Sequence, residues 1–220
     1  MKNFDELYQL IEKGYLIDLF GTPKYLAILS HGAGAGMDHP FMNRMAELLS
    51  KQSAAVIRFN FSYLKEGRKF PSSSKQSIGD IDEVYHQVRG LFPDQPIILG
   101  GKSYGGRMSS HWLAQQEYQN QIAGLFYLGF PLHAPGKPGT KRADHLTSIS
   151  IPQLFLQGTN DKLAQLDLIE GVIDQQKNAT LKTIEHADHS FKAAKKYGKS
   201  EMQIMEELAL TIDRWALDQL

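Results

Sequence analysis

Gly101-Lys102-Ser103-Tyr104-Gly105 carries the clearest chemical signal in this chain, a serine held between two glycines in a G-x-S-x-G pattern. The pentapeptide alone arises by accident in roughly one chain in ten of this length, so its surroundings decide its weight. The apolar run Pro96–Gly100 precedes it and reads as a strand. Ser103–Leu113 follows and reads as a helix. A serine on a sharp strand-to-helix turn is a nucleophile elbow, with its hydroxyl lifted to the helix end where backbone N–H groups lack partners. The flanking glycines remove Cβ atoms that would strike neighbouring backbone. The bland alternative is a glycine-rich turn with a surface serine.

A serine hydroxyl is a poor nucleophile until a base takes its proton. On elbows of this kind the acid and then the histidine follow the serine along the chain. Asp161 stands just past the apolar run 151–158, and His189 sits in the loop after the run 179–184. Imidazole titrates near neutrality and suits the base, while a carboxylate fixes its tautomer. The spacing favours His189 over His186, which adjoins Glu185 at a strand end, and Asp161 over Asp188, too close to His189 in sequence to orient its ring. Asp161 also suits a turn or helix cap. The strand 25–30 runs into His31-Gly32-Ala33-Gly34-Ala35-Gly36, small residues that let backbone approach a substrate carbonyl. The N–H groups of Ala33 and Tyr104 are the expected oxyanion donors. His31 reads as a loop-fixing histidine. His31, Lys102, Arg107 and His133 are carried as possible substrate contacts. Lys102, Arg107, Lys137, Lys141 and Arg142 would attract an anion if they lay near the mouth, with ordinary surface charge as the plainer reading.

Two nucleotide readings are minor. Residues 32–36 spell G-x-G-x-G, but residue 37 is Met where a dinucleotide loop needs its third glycine. Arg58, not an acid, ends the next strand, which only a phosphorylated cofactor would permit. Gly101-Lys102-Ser103 resembles the end of a phosphate loop, but its first glycine position is Pro96.

To position these groups the chain must alternate strand and helix. The patterning predicts an amphipathic helix over 4–13 with Phe4, Leu7, Tyr8 and Ile11 inward, and strands at 15–20, 25–30, 54–59, 96–100, 123–128, 152–157 and 180–185. Pro40 opens a helix burying Phe41, Met45, Leu48 and Leu49. Ser77 and Asp80 read as the cap of a helix burying Ile78, Ile81, Val84, Tyr85, Val88 and Leu91, and Ser200 with Gln203 caps a last helix. Residues 60–76 read as a loop over the site, and 129–150 as a short proline-rich loop with no room for a large lid. This order implies an α/β architecture, a mostly parallel sheet of about seven strands with helices on both faces, in a single domain over 1–220.

Composition narrows the function. The chain has 220 residues, 24 basic and 24 acidic side chains and no cysteine. Balanced charge gives no support for nucleic-acid or membrane-surface binding. Without cysteine there is no disulfide or thiolate metal site, and no metal or cofactor is expected. The amino terminus lacks an apolar signal core and no stretch approaches the ~20 apolar residues of a span, so a soluble cytoplasmic protein is expected.

The motifs HGAGAGMDHPFM from His31, RFNFSYLKEGRKFP from Arg58, GGKSYGGRMSS from Gly100, LGFPLHAPGKP from Leu128, LQGTND from Leu156 and ADHSF from Ala187 span most of the chain. With them it resembles a small α/β-hydrolase family of bacterial hydrolases and of the testis-expressed protein 30 and non-specific-lethal complex subunit 3 type. It is more distantly similar to dienelactone hydrolases. Ser62 stands where that family often has proline, and Tyr104 where methionine is common. The resemblance implies an α/β-hydrolase fold and places nucleophile, acid and base on Ser103, Asp161 and His189. The expected activity is that of a serine hydrolase on a small ester or thioester, of carboxylesterase or thioesterase type. Because some relatives sit in protein complexes, a non-catalytic scaffold module is the alternative, with a peptidase or acyltransferase behind it. Oligomeric state is not readable from the sequence.

Overall fold

The computed structural model describes residues 5–71 and 73–220. A 3-10 turn, Asp5–Leu7, leads into helix α1 (Tyr8–Glu12). Strands β1 (Leu16–Leu19) and β2 (Tyr25–Ser30) follow, then α2 (Pro40–Ser50), β3 (Ala54–Phe59), α3 (Ser62–Lys65) and α4 (Ser74–Leu91). Next come β4 (Ile97–Lys102), α5 (Tyr104–Leu113), β5 (Gly124–Leu128) and a 3-10 helix, Lys141–Ser148. The chain ends with β6 (Gln153–Gly158), α6 (Leu166–Ile173), β7 (Ala179–Ile184) and α7 (Glu201–Leu217). The seven strands form one sheet in the order β1-β3-β2-β4-β5-β6-β7, and only β1 is antiparallel to its neighbour. This is the predicted α/β architecture.

Strand periodicity sorts the sheet's side chains into two cores. Leu26, Ile28, Ile57, Leu99, Leu125, Tyr127 and Phe155 pack with α1, α4, α5 and α6 on one face. Tyr25, Ala27, Leu29, Val56, Ile98, Phe126 and Leu128 pack with α2 and α7 on the other. Strands buried on both faces read as continuous apolar runs, which is why the sequence pattern locates β2 through β6 to within two residues. The chain leaves β2 outward to β3 and returns to β4 on the opposite side of β2. That reversal opens a crevice beyond the carboxyl ends of β2 and β4, where open α/β sheets bind ligands.

The helices depart from the pattern in instructive ways. Leu7, in the 3-10 turn, is buried as predicted and Leu10 of α1 is buried with it, whereas Tyr8 and Ile11 are exposed, so the stripe turns away from the predicted one within α1; Phe4 lies outside the described residues. In α2, Met45 and Leu49 are buried as predicted and Met42 joins them, whereas Phe41 and Leu48 are half-buried. Residues 60–76 are not a loop throughout. Phe61 and Tyr63 are fully buried, α3 starts at Ser62, and α4 begins at Ser74 with Ser73 accepting from the Gln76 amide. Ser77 is therefore inside the helix, and Asp80 accepts from the amide and hydroxyl of Ser62 instead of capping its own helix. Residues 129–150 include the eight-residue 3-10 helix as well as a loop. Among the described residues nothing between β5 and β6 forms a lid domain. Helix α6 goes beyond what periodicity predicts, being eight residues long with Gly171 inside it. The last helix has its capping box, with Ser200 accepting from the Gln203 amide and Gln203 accepting in return. No helix among the described residues is long and apolar enough to cross a membrane.

Candidate active site

Ser103 sits between β4 and α5 with φ 51° and ψ −113°. A non-glycine residue rarely adopts positive φ, and such strain persists only where the surroundings enforce it. The flanking glycines show how. A Cβ on Gly101 would lie 2.3 Å from the Gly106 nitrogen, and one on Gly105 would lie 2.5 Å from the carbonyl oxygens of Ser30 and His31. The elbow is thus pressed against its own helix and against the end of β2. Tyr104 is the first residue of α5, so its N–H has no acceptor within the helix.

The structure brings the three distant candidates into contact. Ser103 Oγ is 2.8 Å from His189 Nε2, and His189 Nδ1 is 2.7 Å from Asp161 Oδ2. A carboxylate accepts only, so Nδ1 carries the proton and Nε2 presents its lone pair to the serine hydroxyl. The Asp161 side chain is fully buried and that of His189 is 24% exposed. Asp161 also accepts from the Leu163 amide at 2.8 Å and from the side-chain amide of Gln157. Gln157 accepts in turn from the Phe130 amide. Its signal was faint but present, a polar residue at the end of the apolar run Leu154–Leu156.

The rivals have other partners. His186 has φ 62°, is exposed, and stacks on Tyr197 at 3.7 Å. Asp188 Oδ1 accepts from the amides of Ser190 and Lys192, shaping the loop that carries His189. His31 is fully buried. Its Nδ1 donates to the Gly32 carbonyl at 2.8 Å and its Nε2 accepts from the Phe61 amide at 3.2 Å, while burial pushes its pKa down. His133 Nδ1 bonds the Ala134 carbonyl and its Nε2 accepts from the Gln165 amide, tying two loops together. Arg58 is buried, paired with Asp18 at 2.8 Å and bonded to the Met37 carbonyl and Asn43. It braces the loop after β2 and has no free face for a cofactor phosphate.

A cleft of about 840 Å³ opens beside Ser103 and His189. Ala33 and Lys102 line it, as do Phe41, Met42, Phe191, Met202 and Met205. Of the four side chains carried as substrate contacts, Lys102 alone is in this lining. Arg107 instead lies against the Tyr104 ring, 5.8 Å from its centre, and Lys137, Lys141 and Arg142 are likewise outside it. The other cations of the cleft have carboxylate partners, Arg44 with Glu47 at 2.8 Å and Lys192 with Glu201 at 3.4 Å.

A seven-stranded, mostly parallel sheet with a strained serine at the β4–α5 turn defines an α/β-hydrolase fold. Residues 23–217 match the family described as alpha/beta hydrolase domain, and the chain belongs to that family. Solved structures agree at the level of fold. Est1E from Butyrivibrio proteoclasticus, solved with ferulic acid, superposes with a TM-score of 0.73 at 17% identity over 93% of this chain and 94% of its own. A serine hydrolase without a lid from Xanthomonas campestris gives 0.68 at 19% identity, covering 91% and 88%. A dienelactone hydrolase from Anabaena variabilis gives 0.69 at 16% identity, covering 93% and 90%.

Proposed function

We propose that the protein is a serine hydrolase that cleaves a small carboxylic ester or thioester through Ser103, His189 and Asp161. The observation that carries this reading is the unbroken hydrogen-bond chain from the Ser103 hydroxyl through the His189 ring to the buried Asp161 carboxylate. Ser103 Oγ attacks the substrate carbonyl as His189 Nε2 takes its proton. The oxyanion that forms meets the N–H groups of Ala33 and Tyr104, each worth about a hundred- to a thousandfold in rate. His189 then protonates the departing alcohol or thiol, leaving an acyl-serine. Water, deprotonated by the same ring, releases the acid and restores the hydroxyl. Asp161 holds the tautomer and stabilises the imidazolium in both halves.

The cleft favours a neutral substrate with an apolar portion. Phe41, Met42, Leu163, Phe191, Met202 and Met205 give its walls an apolar stretch, and its surface cations Arg44 and Lys192 already face carboxylates. A fluorophosphonate probe tests the reading. Wild type is expected to be labelled and to turn over esters from a mixed panel, and Ser103→Ala to lose both while keeping its thermal transition. Folded wild-type protein that takes no label would overturn it.

A further inference from the structure

We propose that Lys102 is the positioning residue for the base: its ammonium, bonded to the backbone carbonyl of His189, holds the imidazole over the serine hydroxyl. This role rests on the triad reading above and extends it to a residue that reading does not use.

The geometry is specific. Lys102 ends β4, one residue before Ser103, and side chains of a strand alternate faces. Gly100, two residues back, faces Phe126 in the core beneath α2 and α7, so Lys102 points to that side as well. There Lys102 Nζ lies 2.6 Å from the His189 carbonyl oxygen. The same nitrogen is 5.8 Å from the centre of the Phe41 ring and 5.4 Å from that of Phe191, two rings stacked 6.1 Å apart. The ammonium therefore ties together the elbow, the start of α2 and the loop after β7. No ion pair joins it to a carboxylate among the described residues.

That loop is tied to the end of β6 only as far as Ala187, through Thr159 and Asn160. His186 and Phe191 both have positive φ, at 62° and 60°, so strained backbone brackets His189 on either side. Asp188 caps the loop internally through the amides of Ser190 and Lys192, and Asp161 holds the ring at Nδ1. Neither of these contacts, nor the bonds by which Thr159 and Asn160 hold His186 and Ala187, reaches the His189 backbone itself. The bond from Lys102 does, and it does so from the residue adjoining the nucleophile. A misplacement of about 1 Å in such a site lowers turnover by about a hundredfold.

Burial pulls the pKa of Lys102 down to about 8, against the opposing pull of Asp161 and Asp188. The other titratable groups facing this region are His189 itself and His39, Arg44, Lys192 and Glu201 along the cleft. Loss of the Lys102 proton removes both the charge-assisted bond and the attraction of the two rings. Activity is thus expected to fall as pH rises through about 8.

The chain has no cysteine, so Lys102→Cys introduces one unique thiol that 2-bromoethylamine converts to a lysine-length side chain whose ammonium is more acidic. Lys102→Met is expected to lower kcat by about tenfold to a hundredfold with KM within about twofold. Its Tm should be no lower than wild type, because a buried ammonium is replaced by an apolar chain. The alkylated Lys102→Cys protein should regain kcat, with its alkaline limb moved to lower pH than in wild type; alkylated wild type is the control. A kcat for Lys102→Met within twofold of wild type overturns the role. So does a loss that alkylation does not restore, or a fall in kcat that merely follows a fall in Tm. Ester turnover that survives Ser103→Ala would instead remove the triad reading itself.

Discussion

Three side chains separated by up to 86 positions in sequence meet in one hydrogen-bond chain, and each is constrained by what surrounds it. Ser103 is forced to positive φ, His189 is held at Nδ1 by a carboxylate, and Asp161 is fixed by the Leu163 amide and Gln157. The residue types and their order marked these three in the sequence, because the chemistry tolerates few substitutes. His189 prevailed over His186 for a reason of chain direction: the ring three residues further on returns to the sheet edge, while His186 turns outward onto Tyr197. Exchanging Asp161 for Asn would present an amide to Nδ1 and favour the wrong tautomer. Asp161→Asn is expected to lower kcat by about 10⁴-fold while the thermal transition stays near that of wild type. Steady-state turnover and a melting curve on the same sample check it.

Strands β2 through β6 were legible because they are buried on both faces, and the helices less so because each shows only a stripe. Near the amino terminus the predicted stripe held at Leu7, but packing of α1 against β1 buries Leu10 and leaves Tyr8 and Ile11 outside. Around the elbow, glycine identity is a matter of contact between elements. A Cβ at Gly105 meets the backbone oxygens of Ser30 and His31 at 2.5 Å, and backbone cannot swing aside as a side chain can. Gly105→Ala is expected to destabilise the fold by about 1–3 kcal/mol or more through overpacking. Gly79 and Gly171 also lie in helices, but nothing stands within 4 Å of a Cβ built there. Their replacement by Ala should stabilise by about 0.5–1 kcal/mol, since alanine gives up less backbone freedom on folding. Urea titrations of the three variants should therefore move midpoints in opposite directions.

Across the whole molecule, buried titratable groups set the pH range of stability. Burial lowers the pKa of His31 and His111 from 6.5 and that of His145, beside His111 and Arg107, to about 3. Below about pH 6.5 the unfolded chain therefore binds protons that the folded chain refuses, and stability falls with acidification. Tyr15 and Tyr63 are raised by burial to about 12, and Tyr25 and Tyr127 are raised too. Above pH 10 the unfolded chain releases protons that the folded chain keeps, so stability falls again. Lys102 acts in the opposite sense between about 8 and 10.5, so the intervening plateau should tilt slightly upward. Melting curves from pH 5 to 11 should show this shape, and His145→Gln should flatten the acid limb; a monotonic profile would contradict the assignment.

The sequence by itself determined which apolar runs become buried strands, which turn carries the serine, and which acid and histidine follow it along the chain. Those features are local, because burial on two faces, a glycine-flanked turn and a helix cap each act over a few neighbouring residues. Tertiary structure decided what touches what. The burial of His31 behind its loop, the diversion of Arg58 to Asp18, the support of Asp161 by Gln157 and the tie from Lys102 to the His189 carbonyl all join residues far apart in the chain. Such contacts depend on strand register and on the angle at which helices cross the sheet, quantities fixed only when the two cores close around it.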